Sequence, residues 1–385
     1  MALPDSLERE STNQVVFDGN SFVKKVILNR PHKLNTLTHQ MISQMEKRLE
    51  DYENDPQVKL VILKGNGKAF CAGGDNVAIY KFLTAGDWSF GSSYFNKLFT
   101  LQYLVSTYKK PLVAILDGVV MGGGAAISML ADFKIVTENT VFAVPEAALG
   151  SSIGDSYSLS RLPGHFGEYL ALTGAQIDGA EMIECGLTTH FVFSKDLQPL
   201  ENALEEVDSS DTSAISQVIS KFMHKSNIKQ HSAYNRLPTV NKCFSRETVE
   251  DILLSLKKEM GNGDDEKWII DSMNSMKSCS PLSLKVSLKL LRESRRHNLE
   301  ESMIHDYTVF CRILLRTVSN DVYEGMRAKF MEKGEKPKWQ PSKLELVTKE
   351  MVDRCFDKLV NEKNLEFLIS PSRSKLVDNI VSSKL

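Results

Sequence analysis

Hydrophobic positions in the first half of the chain recur with two different periods, and the two alternate. Val15-Val16-Phe17 and Val23 to Leu28 are short β runs on either side of Asp18-Gly19-Asn20. This is a hairpin pattern, and Asn29-Arg30-Pro31 ends it because proline cannot extend a ladder inside a sheet. Met41, Ile42, Met45, Leu49 and Tyr52 then recur at helical spacing behind Thr38, a good N-cap. A strand over Leu60 to Lys64, a helix from about Tyr94 to Thr107 and a buried strand over Leu112 to Leu116 follow. Val141 to Ala143 is a further short strand, Glu168 to Thr173 and Asp178 to Cys185 read as helices, and Phe191-Val192-Phe193 marks the last β run. Such alternation predicts an α/β fold.

Beyond Ala214 the strand pattern disappears. Thr248 to Leu256, Leu284 to Leu291, and the series Leu299, Met303, Tyr307, Phe310, Cys311, Leu314 all have helical spacing. Pro281 sits just inside a helix start, where its missing N–H costs little. The stretch between the two halves is acidic and serine-rich (EVDSSDTS). The expected organisation is therefore a core over residues 1–200, a linker over 201–213 and an all-helical region over 214–385. A chain of 385 residues has room for both.

Composition narrows the function by exclusion. A net charge of −2 with mixed signs gives no electrostatic case for nucleic acid or an anionic membrane surface. No apolar run is long enough to span a bilayer, and no basic-then-apolar leader opens the chain. The six cysteines have no C-x-x-C spacing, which argues for free, mostly buried thiols in a reducing compartment and against a zinc site. Ser383-Lys384-Leu385 closes the chain as a peroxisomal address, so an import receptor in peroxisomes is an expected partner.

The candidate chemistry lies at two glycine corners, each after a β run. Lys68-Ala-Phe-Cys-Ala-Gly-Gly-Asp75 follows the Leu60 strand; Gly122-Gly123-Gly124 follows the Leu112 strand and opens an apolar helical run from Ala125 to Leu130. Glycine bares backbone N–H groups, and a helix start leaves them unsatisfied. Such corners can simply let a helix pack closely on a sheet. A pair of them can also aim one N–H each at a single oxygen that gains negative charge. Downstream, Glu146 follows Pro145 at the end of the Val141 strand and supplies a carboxylate. None of the eight histidines falls in these motifs and no G-x-G-x-x-G fingerprint occurs, which leaves serine-histidine and dinucleotide chemistry without support.

AFCAGGD, DGVVMGGGAAIS and ENTVFAVPEAALG together resemble the crotonase (enoyl-CoA hydratase/isomerase) superfamily, over roughly Asn13 to Phe356. The long C-terminal extension, with Asp321-Val-Tyr-Glu-Gly-Met-Arg-Ala328 and Pro337-Lys-Trp-Gln-Pro341, resembles its 3-hydroxyisobutyryl-CoA hydrolase branch, most closely the plant peroxisomal members. The resemblance implies a ββα spiral core and hydrolysis of a short branched 3-hydroxyacyl-CoA in valine catabolism. It needs no cofactor beyond the coenzyme A of the substrate, and a homo-oligomer is compatible with it. It maps the oxyanion-hole N–H groups to Gly74 and Gly123 and the acidic position to Glu146. The loop from His32 to Leu37 would line the coenzyme A site, with Lys33 near the phosphates and Leu34, Ala72, Asp75 and Leu98 around the ligand.

Two stretches depart from the branch. Its E-Y-x-L-N is Leu98-Phe-Thr-Leu-Gln102 here, so a carboxylate becomes leucine; its G-L-F-P-D-V-G is Gly150-Ser-Ser-Ile-Gly-Asp155, with Asp155 or Ser152 standing where the aspartate would be. The second glutamate of the superfamily's hydratases corresponds to Ala126, which disfavours hydration. Glu146 could activate water or attack the carbonyl itself. An acyl-CoA isomerase, or a CoA-binding relative with little turnover, is the competing expectation.

Overall fold

In the computed structural model, residues 13–86, 88–261, 266–359 and 373 are described. The first part of the chain winds as a spiral in which successive turns add one strand to each of two sheets. A hairpin of β1 (Val15–Gly19) and β2 (Val23–Leu28) leads to α1 (His39–Asn54), then β3 (Leu60–Gly65) and β4 (Ala69–Cys71). Helices α2 (Asn76–Thr84) and α3 (Trp88–Ser106) return the chain to β5 (Leu112–Leu116) and β6 (Val119–Met121). After α4 (Gly123–Ala126) come β7 (Phe133–Val136) and β8 (Val141–Ala143). Helices α5 (Ser156–Ser160) and α6 (Phe166–Thr173), β9 (Ile177–Asp178), α7 (Gly179–Glu184) and β10 (His190–Phe191) complete the spiral. The larger sheet has the order β1-β2-β3-β5-β7-β10 and the smaller β4-β6-β8-β9. β3, β5 and β7 run parallel in one, and β4, β6 and β8 run parallel in the other.

Strand alternation explains why both faces of the larger sheet are covered. In β3, Val61 and Leu63 enter the main core while Leu60 and Ile62 point to the opposite face. That opposite face is closed by α8 (Leu197–Glu205) and α9 (Thr212–Ser220) through Leu200, Leu204, Ile215 and Ile219. The span 201–213, read as a linker, holds the end of α8 and the start of α9. Within it Glu201 is buried and ion-paired with Lys25 and Lys64 of the sheet.

The rest is helical, as expected. Helices α10 (Leu237–Phe244), α11 (Val249–Glu259), α12 (Glu266–Ser278), α13 (Pro281–Ser294), α14 (Leu299–Leu314), α15 (Asp321–Met326) and α16 (Lys349–Arg354) follow, and no strand occurs after β10 among the described residues. The starts are capped: Ser280 accepts from the Ser283 N–H with Pro281 behind it, and Asn298 forms a capping box with Glu301. α13 packs on α5 and α6, and α14 packs on α3 and α5. These helices share one hydrophobic core with the spiral and so close over its active face.

Some local expectations shift. The Ala125–Leu130 helix is the four-residue α4 continued by turns, because the Ser128 hydroxyl donates back to the carbonyls of Gly124 and Ala125. The last strand is His190–Phe191 rather than Phe191–Phe193.

Candidate active site

The first glycine corner is strapped to the loop before α1. Ala72 N–H donates to the Leu34 carbonyl, Leu37 N–H to Gly73, and Asp75 N–H to Leu37. The second corner packs against the first so closely that a Cβ on Gly124 would lie 2.4 Å from the Cys71 carbonyl oxygen. Only glycine permits that approach. A Cβ on Gly123 would lie 3.7 Å from the Gly74 amide nitrogen. The two nitrogens are therefore within about 6 Å of each other, close enough for one oxygen to accept from both. Among the described residues neither N–H donates to a backbone acceptor. The expected pair of donors is thus brought together and left free.

These corners form one wall of a cavity of about 660 Å³. Gly74, Gly123, Glu146, Asp155, Leu34, Ala72 and Leu98 all line it; Lys33 and Asp75 do not. Lys33 ends an exposed turn, and Asp75 instead caps α2 by accepting from Ala78 N–H and pairs with Arg30 at 3.1 Å. The lining basic side chain is Lys329, from a π-turn at Arg327–Met331 after α15. Phe310, Met326 and Phe330 reach the cavity from the same helical half. Local spacing gave no signal for them, since their neighbours in space lie far away in sequence. The motif around Asp321 does mark the place. Its own side chain packs the junction, accepting from the Ser280 hydroxyl at 2.5 Å and the Gln340 N–H at 2.8 Å.

Glu146 opens the short 3-10 turn Glu146–Leu149, which left-handed Gly150 ends. Ser151 N–H then donates to the Glu146 carbonyl at 3.0 Å, folding the following loop back beneath it. One carboxylate oxygen, Oε1, lies 3.4 Å from where a Cβ on Gly122 would be, beside the second corner. The other, Oε2, is buried without a hydrogen-bond partner among the described residues. The residue keeps some exposure toward the cavity, but its carboxyl is enclosed by protein. That burial, aided by the charge of Asp155, pushes it up to about 7.

Asp155 is the N-cap of α5, accepting from Ser158 N–H at 3.2 Å. Burial raises it to about 6, against the Ser158 hydrogen bonds and the attraction of Lys134 and Arg161. A third acid was not foreseen. Asp306 of α14 reaches the same helix start, where Ser156 N–H donates to its Oδ2 at 2.9 Å. Burial lifts Asp306 from its ordinary 3.8 to about 7, with the Asp155 charge acting the same way. An acid whose folded pKa is raised costs stability as pH climbs from its unfolded toward its folded value. Asp306→Asn keeps the acceptor for Ser156 and removes the charge. Its stability advantage over wild type should grow between about pH 4 and 7, then level at on the order of 1–3 kcal/mol, as read by urea unfolding across pH.

The six cysteines are free and buried. Among the described residues no helix is long and apolar enough to cross a membrane, and no cluster of His, Cys, Asp and Glu could hold a metal ion.

Known proteins resemble this chain along most of its length. The family model described as Enoyl-CoA hydratase/isomerase matches residues 23–356. The chain is 43% identical over 373 residues to 3-hydroxyisobutyryl-CoA hydrolase 1 of Arabidopsis thaliana, covering 96% of this chain and 98% of that one. A carnitinyl-CoA dehydratase from Mycobacterium thermoresistibile superposes with a TM-score of 0.83 at 30% identity, over 93% of this chain and 100% of that one. One expectation is overturned. Relatives from Arabidopsis thaliana (40% identical over 89% of this chain), Xenopus laevis (36%) and Gallus gallus (36%) are mitochondrial by name. The peroxisomal location read from Ser383-Lys384-Leu385, which lies outside the described residues, is corrected accordingly. A three-residue signal is a weak one to set against similarity along most of a chain. With paired glycine corners, a carboxylate beside them and kinship extending through the helical half, the chain belongs to the enoyl-CoA hydratase/isomerase (crotonase) superfamily, in its 3-hydroxyisobutyryl-CoA hydrolase branch.

Proposed function

We propose that the protein hydrolyses the thioester of 3-hydroxyisobutyryl-CoA, releasing 3-hydroxyisobutyrate and CoA in valine catabolism. The observation that carries this reading is the Glu146 carboxyl, enclosed beside two unused amide donors and lifted to about 7. The thioester oxygen accepts from Gly74 and Gly123 N–H, which stabilise the negative charge it gains on attack. Glu146 takes a proton from water as the water oxygen bonds to the carbonyl carbon. The C–S bond then breaks, and the proton passes from Glu146 to the departing sulfur, so the carboxylate is restored. Asp155, on the same wall, orders the attacking water. Leu34 and Ala72 border the coenzyme A arm at the cavity mouth, and Lys329 offers a cation to its phosphates.

Ala126, on the cavity wall at the position of a hydratase's second glutamate, leaves hydration without its second acid. A CoA-binding relative with little turnover is the second reading, and the leucine at Leu98 favours it.

Two measurements test the proposal. Free CoA release across a panel of short acyl-CoAs should give the highest kcat/KM with 3-hydroxyisobutyryl-CoA; a panel with no turnover above buffer would refute it. The pH profile is the second. A base must be ionised, and the Glu146 pKa is raised, so kcat should fall about tenfold per unit as pH drops below about 7. A profile flat from pH 5 to 8 would exclude Glu146 as the base.

A further inference from the structure

Leu98, Phe99, Phe142 and Phe310 give the cavity apolar lining, and the stretch from Glu146 to Asp155 brings four polar side chains to it. Within that stretch Ser151 and Ser152 both line the cavity and are 5% and 0% exposed. Neither Oγ has a hydrogen-bond partner among the described residues. A buried hydroxyl left unmet is costly, and native chains rarely keep one without a use. Ser156 and Ser158 of α5 stand beside the carboxyls of Asp306 and Asp155 and do not line the cavity.

The serine shelf is held in place. Ser151 N–H donates to Glu146, Ser280 N–H to the Ala147 carbonyl, and Gln102 Nε2 to the Gly154 carbonyl at 3.2 Å. Asp155 is already engaged, since the proposed reaction assigns it the attacking water. One of its oxygens accepts from Ser158 N–H, and its charge already acts on Glu146. A serine hydroxyl both donates and accepts and carries no charge, so it matches an alcohol in either direction.

We propose that the Ser152 hydroxyl, with Ser151 beside it, receives the hydroxyl group of the acyl chain and makes the cavity selective for hydroxylated over plain branched acyl-CoA. This rests on the thioesterase reading, and it assigns that reading's substrate preference to two residues of this chain. A site built to bond a substrate hydroxyl rejects the analogue lacking it far more strongly than an apolar pocket can reject one methylene.

The test compares 3-hydroxyisobutyryl-CoA with isobutyryl-CoA, which differ only in that hydroxyl, on the full-length protein. kcat/KM is measured for wild type, Ser152→Ala and Ser151→Ala, together with the Ki of each thioester as an inhibitor of turnover or, without turnover, its Kd. Wild type should prefer the hydroxylated thioester by about 10²-fold or more. Ser152→Ala should lose at least about tenfold of that preference, through the hydroxylated thioester alone, with isobutyryl-CoA unchanged as the control for folding. Ser151→Ala should lose less. An unchanged ratio in Ser152→Ala, or an equal loss on both thioesters, would overturn the assignment. Failure of the hydrolase reading looks different: neither thioester is hydrolysed, yet the ratio of Kd values still decides for or against the shelf.

Discussion

Glu146→Gln is expected to lower kcat for thioester hydrolysis by about 10²–10⁴, the usual contribution of a positioned general base. Gln is nearly the same size, so the turn at Glu146–Leu149 and the hydrogen bond from Ser151 N–H to the residue 146 carbonyl should survive. Stability should move the other way. Burial raises the folded pKa from 4.5 to about 7, so wild type loses stability as pH rises through that window, whereas the Gln variant does not titrate. At pH 8 the variant should therefore unfold at a Tm no lower than wild type while turning over far more slowly. Activity within a factor of three of wild type would remove Glu146 from the mechanism. If Glu146 instead attacks the carbonyl directly, with loss of the CoA thiolate, the mixed anhydride formed should leave ¹⁸O in its side chain after a single turnover in H₂¹⁸O wherever water opens it at the glutamyl carbonyl.

Gly123→Val should lower kcat by about 10²–10³, the typical effect of disabling an oxyanion-hole donor. The backbone at Gly123 does not need glycine's conformational freedom, since its φ is not positive. Space is what it lacks. A Cβ there sits 3.3 Å from Leu98 Cδ2, 3.6 Å from Leu37 Cδ1 and 3.7 Å from the Gly74 nitrogen. The branched methyls of valine would occupy the region where the thioester oxygen should lie between the two donors. The fold should persist, because the intrusion is into a cavity and onto the ends of two leucines. Gly123→Ala should fall between. Wild-type kcat in the valine variant, measured with a normal circular dichroism spectrum, would contradict the oxyanion assignment.

Much of this site was legible in the chain because its parts are local. The triple glycine after an apolar strand, the second corner at Gly73-Gly74 and the Pro145-Glu146 pair each combine a backbone requirement with the chemistry that uses it. The structure brings all three to one cavity. The strands β4 and β6 were not legible as strands, because three residues are too few for a period of two to register. The helical half was read as helices and as a mark of the branch. Its approach to the cavity through Phe310, Met326 and Lys329, and of Asp306 to the start of α5, depends on helix packing that no local spacing encodes. Lys33 and Asp75 stand outside the cavity wall. Their positions follow the family motif, yet one side chain is exposed on a turn and the other is engaged as a cap and ion-pair partner.

The most direct test of the account is thiol release by the wild-type chain at saturating 3-hydroxyisobutyryl-CoA, with acyl-CoA binding followed calorimetrically in the same preparation. The account predicts multiple turnovers, with one CoA and one 3-hydroxyisobutyrate formed per thioester consumed. Binding of the acyl-CoA with no release of CoA would contradict it.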